Sequence, residues 1–315
     1  MLIVPDDKIA DYLNYPDLIE ALRDIFRTRY TMPVRHHHFY ETGEGDENTL
    51  ILMPVWNNGY LGMKQVTVAP GNARQDMPSI YARYLLSNSK TGEPLAMMNA
   101  TELTARRTAC TSALASSFLS RKDAGNLLVV GGGKVAEHLV QAHRAVRNFR
   151  NVSVWMRNPG KLSRFVTSLR EQGIPVEAAT NLEEAARRAD VISCATLSKT
   201  PVIKGEWLKP GAHLDLIGSH KPDTRETDDE AIRRSSLFVD SREGAPHETG
   251  DLALPIVAGL ISEKDIRADI AELVKGLHPG RTSAEEITLF KSAGLAIEDL
   301  AAALLVYERF LNNNV

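Results

Sequence analysis

Residues 126–136 read Asn-Leu-Leu-Val-Val-Gly-Gly-Gly-Lys-Val-Ala: a short apolar run, three consecutive glycines, and the start of a helical pattern. A strand that stops, turns on glycine and enters a helix at once fits few folds. The segments behind it narrow the choice further. Val152–Met156, Asp190–Cys194, His213–Ile217 and Leu237–Val239 are short apolar runs, and Val176 leads into a further helix start. Between them lie helical patterns, one over Pro159–Glu171 and one opened by the capping-box sequence Asn181-Leu-Glu-Glu184. Short apolar strands alternating with helices predict a parallel sheet covered on both faces, an α/β arrangement of Rossmann type.

Within that context the glycines follow the G-x-G-x-x-A spacing at Gly131, Gly133 and Ala136. Gly131 permits the tight turn, and Gly133 lets a pyrophosphate approach the backbone. Ala136 keeps the helix close to the sheet, while the helix N-terminus, with Lys134 and Val135 in its first turn, faces the phosphate charge. The pattern predicts dinucleotide binding. Cofactor choice is read at the end of the second strand, where an acidic residue would bond the ribose hydroxyls. This chain has Arg157 and Asn158 there, with Lys161 one turn on, and no carboxylate. A guanidinium suits a 2′-phosphate, so NADP(H) is the expected cofactor and NAD(H) the alternative.

The chain has 315 residues, about twice the roughly 150 of one domain, and two domains are expected. The first begins with a helix that carries Leu18, Ile19, Leu22, Ile25 and Phe26 on one face behind Pro16. Thr49–Val55 and Tyr60–Val68 read as strands flanking a turn at Asn57-Asn58-Gly59, and Tyr81–Leu86 and Pro94–Met98 as a hairpin. Glu102–Leu119 is an Ala-rich helix. A last helix starts at the capping box Ser283-Ala-Glu-Glu286, runs towards Phe310 and returns to this domain. The expected division is therefore 1–120 with 285–315, a discontinuous α+β domain, and 121–284, the Rossmann domain.

Composition excludes some partners. Lys plus Arg number 37 against 40 Asp plus Glu, a net charge of −3, which argues against a nucleic-acid grip or an anionic membrane surface. Apolar runs fall short of the roughly 20 residues of a membrane span, and the N-terminus lacks the pattern of a secretory signal. Two cysteines, Cys110 and Cys194, sit in apolar stretches without CxxC spacing, so a reduced, cytoplasmic setting is expected. His36-His37-His38 has no Cys, Asp or Glu at ligand spacing and reads as a loop beside Arg35, not a metal site. Asp228-Asp229-Glu230 precedes a helical run and matches its dipole.

Four segments together resemble the ornithine cyclodeaminase/mu-crystallin family across nearly the whole chain. They are Leu61–Val66 with Pro70 and Asn72, Leu103–Ala115, the glycine loop with Ala195-Thr196, and Gly280–Asp299. The resemblance implies that the first domain binds substrate and forms a homodimer. It also implies that Arg35, Lys64 and Arg107 hold a substrate carboxylate, a role suited to guanidinium and ammonium groups. Thr108, Ala195, Thr196 and Gly218 join the glycine-loop residues as expected cofactor contacts.

One loop, Gly218-Ser-His-Lys-Pro-Asp-Thr-Arg-Glu226, departs from the cyclodeaminase pattern. Members that cyclise ornithine carry a catalytic aspartate two residues before the proline, and here that position is His220. The loop instead resembles that of members reducing cyclic ketimines such as Δ1-pyrroline-2-carboxylate and Δ1-piperideine-2-carboxylate to proline and pipecolate. Lys64 and His220 are the candidate proton donors for such a reduction. The alternatives are ornithine cyclodeaminase, an amino-acid dehydrogenase acting on alanine, and a non-catalytic NADP(H)-binding protein of mu-crystallin type.

Overall fold

Eight runs pair, all in parallel, into one sheet in the order Glu177–Ala178, Asn151–Trp155, Asn126–Val130, Val191–Cys194, His213–Leu216, Ile287–Lys291, Ser235–Val239, Ile266–Asp269. The computed structural model describes residues 1–42 and 47–314. The chain divides into two compact units, Met1–Arg107 with Leu295–Val315, and Thr108–Gly294. The parallel sheet belongs to the second. Val191–Cys194, His213–Leu216 and Ile287–Lys291 are buried at every position, as expected of strands covered on both sides.

The first strand of this unit, Asn126–Val130, has the second and third on one side and the fourth on the other. The order therefore reverses between Asn126–Val130 and Val191–Cys194. In open parallel sheets ligands bind at the carboxyl ends of the strands flanking such a reversal. Helix Lys134–Val146 starts directly after the glycines and buries Ala136, Leu139, Val140 and Ala142. Helix Pro159–Glu171 is capped by Asn158, whose Oδ1 accepts the Lys161 N–H at 3.0 Å.

In the other unit, helix Tyr15–Arg27 starts at the Asn14 cap and buries Leu18, Ile19, Leu22, Ile25 and Phe26, the face its spacing predicts. A seven-stranded sheet runs in the order Leu2–Ile3, Pro94–Asn99, Ile80–Asn88, Tyr60–Val68, Glu47–Asn57, Tyr30–Thr31, with His36–Glu41 also paired to Glu47–Asn57. Apart from the parallel pair Leu2–Ile3 and Pro94–Asn99, its ladders are antiparallel. Helix Ala296–Asn314 packs on Tyr15–Arg27 and on the central strands. Helix Ala100–Leu119 contains the point, between Arg107 and Thr108, where the units divide.

Two expectations are corrected. Residues 283–295 do not continue the last helix: Ile287–Lys291 is a central strand of the parallel sheet, and the helix starts at Ala296. A short run buried on both faces carries no period that separates strand from helix, and Ile, Thr and Phe decide for the strand. The Ser283/Glu286 cap exists, with Glu286 N–H donating to Ser283 Oγ at 3.1 Å, but it closes a turn. His36–His38 is not a loop. It opens the strand His36–Glu41, exposed at every position, so no apolar alternation marks it in sequence. Among the described residues no helix is long and apolar enough to cross a membrane, and no group of three His, Cys, Asp or Glu side chains is placed to hold a metal.

Candidate active site

The Thr108–Gly294 unit carries a cleft of about 570 Å³ at the strand-order reversal. Gly131 lies at its base with φ +131°, and a Cβ there would stand 2.5 Å from the Ala195 carbonyl oxygen. Only glycine fits. A Cβ on Gly133 would meet no atom within 4 Å, so that stretch of backbone is open to a ligand. The helix that follows supplies first-turn N–H groups without intrahelical partners, with Lys134 exposed, Val135 half-buried and Ala136 buried.

Arg157, Asn158 and Lys161 line one side of the cleft, and Ala195 to Thr200 the other. No lining residue is acidic. The Asn158 oxygen is engaged by the Lys161 N–H, which leaves its amide nitrogen for a ligand. Thr108 is buried on helix Ala100–Leu119.

Thr196 and Gly218 are held by a residue that sequence reasoning missed. The Glu226 carboxylate, fully buried, accepts Thr196 N–H at 2.7 Å and Thr196 Oγ1 at 2.9 Å on one oxygen. Its other oxygen accepts Gly218 N–H at 2.6 Å. Burial pushes the Glu226 carboxyl up to about 7, with Lys291 opposing, Asp251 adding and the Thr196 hydrogen bonds opposing. In the same loop His220 is exposed, and its Nδ1 donates to the Gly218 carbonyl at 3.0 Å, directing Nε2 away from that bond. Ser219 and Thr224 bond to each other at 3.1 Å and brace the loop.

The other unit holds a buried ionic cluster. Lys64, on strand Tyr60–Val68, pairs with Asp299 at 2.7 Å, and Arg107 Nε donates to Asp299 at 2.8 Å. Arg107 also pairs with Glu298. Glu298 and Asp299 sit in the first turn of helix Ala296–Asn314, and all four side chains are buried. Burial pulls the Lys64 ammonium down to about 8; Asp299 opposes the drop, while Arg107 and the half-buried Arg35 add to it. For Arg107 burial also works downward, but the two carboxylates outweigh it and raise its pKa.

Tyr84 faces Lys64 in register across the neighbouring strand. Its buried hydroxyl lies where a Cβ on Gly62 would stand and has no hydrogen-bond partner among the described residues. The structure thus brings Lys64 and Arg107 together and sets Arg35 within electrostatic reach. The carboxylates are hidden in sequence because they lie 191 and 192 residues from Arg107. The signal was physical: two buried cations require anions, and Glu298-Asp299 lies between the apolar Ile297 and Leu300.

These features define a class: an α/β protein with a Rossmann-type parallel sheet and a separate α+β unit bearing a buried cation cluster. The chain belongs to the ornithine cyclodeaminase/mu-crystallin family, whose family model matches residues 7–314. It is 36% identical over 313 residues to the Δ1-pyrroline-2-carboxylate reductase of Colwellia psychrerythraea, covering 98% of this chain and 99% of that one. Among solved structures, the Δ1-pyrroline-2-carboxylate reductase of Thermococcus litoralis, in complex with NADH and L-proline, matches with a TM-score of 0.92 at 34% identity, over 100% of this chain and 99% of its own. An archaeal alanine dehydrogenase dimer with bound NAD matches with a TM-score of 0.91 at 33% identity, over 100% and 97%.

Proposed function

We propose that this chain reduces a cyclic α-imino acid, Δ1-pyrroline-2-carboxylate or its six-membered homologue Δ1-piperideine-2-carboxylate, to the L-amino acid with a nicotinamide dinucleotide. The end-to-end likeness to a reductase bound to NADH and L-proline carries the reading. His220, where cyclodeaminases place an aspartate, favours it over ornithine cyclisation. Met1–Arg107 with Leu295–Val315 is then the substrate and dimerisation domain, and Thr108–Gly294 the dinucleotide domain.

Arg35, Lys64 and Arg107 hold the substrate carboxylate. Lys64 and Arg107 are neutralised by Glu298 and Asp299, so these four side chains are charge-balanced before substrate arrives. The bound nicotinamide would supply the hydride to the C=N carbon. Lys64 gives a proton to the imine nitrogen, which makes it a better acceptor and leaves the amine; His220 is the competing acid. Loss of dinucleotide absorbance with Δ1-pyrroline-2-carboxylate tests the reading. Ammonia release from ornithine with catalytic NAD⁺, turnover of pyruvate with ammonia, or dinucleotide binding with no turnover would each replace it.

Gly131 and Gly133 fit a pyrophosphate, and the cations Arg157 and Lys161 with no lining carboxylate favour NADP(H) over NAD(H). Arg157→Ala is expected to raise the NADPH dissociation constant roughly tenfold and to leave that for NADH nearly unchanged. Equal effects on both would remove the 2′-phosphate role. Phe39 and Ile80 are exposed on the substrate unit and stand in one row of the sheet through Thr49 and Val68, a surface suited to a homodimer. Sedimentation equilibrium should return twice the chain mass, and the single-chain mass would exclude it. The two cysteines, buried and not joined in a disulfide, suit a cytoplasmic setting.

A further inference from the structure

Two backbone segments leave the sheet side by side at its carboxyl edge: residues 195–198 after strand Val191–Cys194, and 217–219 after His213–Leu216. The first forms a wall of the dinucleotide cleft. The strand ladder continues to Ala195 N–H on the Val130 carbonyl and Ile217 N–H on the Cys194 carbonyl, and it does not tie Thr196 to Gly218. Glu226 does: its two oxygens accept three donors, two from Thr196 and one from Gly218. The segments are pressed together there, since a Cβ on Gly218 would collide with the Thr196 backbone and approach Glu226 Oε1 to 2.6 Å. The donors of Thr196 and Gly218 are therefore spent on Glu226 and act by shape, not by bonding a ligand.

The carboxylate is itself anchored. Asp251 Oδ1 accepts the Glu226 N–H at 2.7 Å and the Thr227 N–H at 3.2 Å, and Asp251 pairs with the buried Lys291 at 3.1 Å. The titratable groups facing Glu226 are Lys291 from strand Ile287–Lys291, Asp251 from helix Gly250–Val257 and the buried Cys194. A buried carboxylate is a costly way to hold two loops unless its oxygens have donors, and here Oε1 has two and Oε2 one.

We propose that Glu226 is a positioning residue for the dinucleotide, a clamp that sets the Ala195–Ser198 wall of the cleft and steadies the loop bearing His220. The inference rests on the reading of this cleft as the dinucleotide site. A glutamine offers one oxygen in place of two, and its NH₂ would face an N–H of either Thr196 or Gly218.

The test compares full-length wild type with Glu226→Gln by hydrogen exchange without cofactor, by NADH and NADPH binding through quenching of tryptophan fluorescence, and by steady-state kinetics. Glu226→Gln should speed exchange in peptides containing Thr196 and Gly218 and raise the dinucleotide dissociation constant roughly ten- to a hundredfold. At saturating dinucleotide, KM for Δ1-pyrroline-2-carboxylate should stay within about twofold. Should that variant not fold, Glu226→Asp, which keeps both oxygens on a shorter stem, is read in the same way. Unchanged exchange and unchanged dinucleotide binding would overturn the clamp, as would exchange raised evenly across both sheets. Wild type that binds no dinucleotide would overturn the proposed function and this role with it; wild type that binds beside a variant that binds equally would overturn the clamp alone.

Discussion

Asp299→Asn is expected to lower kcat/KM for Δ1-pyrroline-2-carboxylate roughly a hundredfold and to move the alkaline limb of the pH–rate profile below about 8. Asp299 contacts both buried cations of its unit, Lys64 at 2.7 Å and Arg107 at 2.8 Å. Its charge and hydrogen bond hold the Lys64 pKa up against burial. In the wild type Lys64 is protonated below about pH 8 and loses its proton as pH rises through that value. A step that needs the ammonium slows over the same range. Removing the carboxylate lowers the Lys64 pKa, so the limb moves to lower pH. Leaving the buried Lys64 without its carboxylate also costs about 3–5 kcal/mol of stability, visible as a lower Tm, while Arg107 keeps Glu298. The measurement is the pH dependence of kcat/KM for wild type, Asp299→Asn and His220→Asn at saturating dinucleotide. An unmoved limb in Asp299→Asn would dismiss Lys64 as the acid, and a limb displaced in His220→Asn would assign it to His220.

Gly131→Ala is expected to abolish useful dinucleotide binding, raising the dissociation constant by roughly a hundredfold or more. Two costs coincide at that position. Its φ of +131° is one that residues with a Cβ rarely adopt, and the new methyl would stand 2.5 Å from the Ala195 carbonyl oxygen. Relief requires the turn to move away from strand Val191–Cys194, which opens the base of the cleft. Gly133→Ala is the matched control. It has φ −85° and no atom within 4 Å of the added methyl, so its fold and Tm should be unaltered while a dinucleotide lying against that backbone is displaced. Titration of NADPH and NADH against both variants decides. Wild-type affinity in Gly131→Ala would remove the glycine loop from the site.

The parallel sheet was legible because its strands and helices alternate at short intervals and its first turn needs glycine. Strand Ile287–Lys291 was not, because burial on both faces erases the alternation that marks a half-exposed strand. The edge strand His36–Glu41 was hidden for the opposite reason, exposure on both faces. At the site, cations announced themselves as charges in apolar surroundings: Lys64 lies among Leu61, Met63, Val66 and Val68. Their partners Glu298 and Asp299 lay 191 and 192 residues from Arg107, a separation that no local pattern spans. Glu226 was missed for a related reason. A carboxylate eight residues after Gly218 reads as part of a polar loop until the chain is seen to double back on itself.

The same separation in sequence sets an order of assembly. Synthesis proceeds from the N-terminus, so Lys64 and Arg107 leave the ribosome long before the two acids that neutralise them. The whole of Thr108–Gly294, with its parallel sheet, is made in the interval. Until the final helix emerges, the first unit holds two cations that cannot be buried alone. A nascent chain therefore carries the residues of the glycine-loop cleft before it carries the acids that neutralise Lys64 and Arg107.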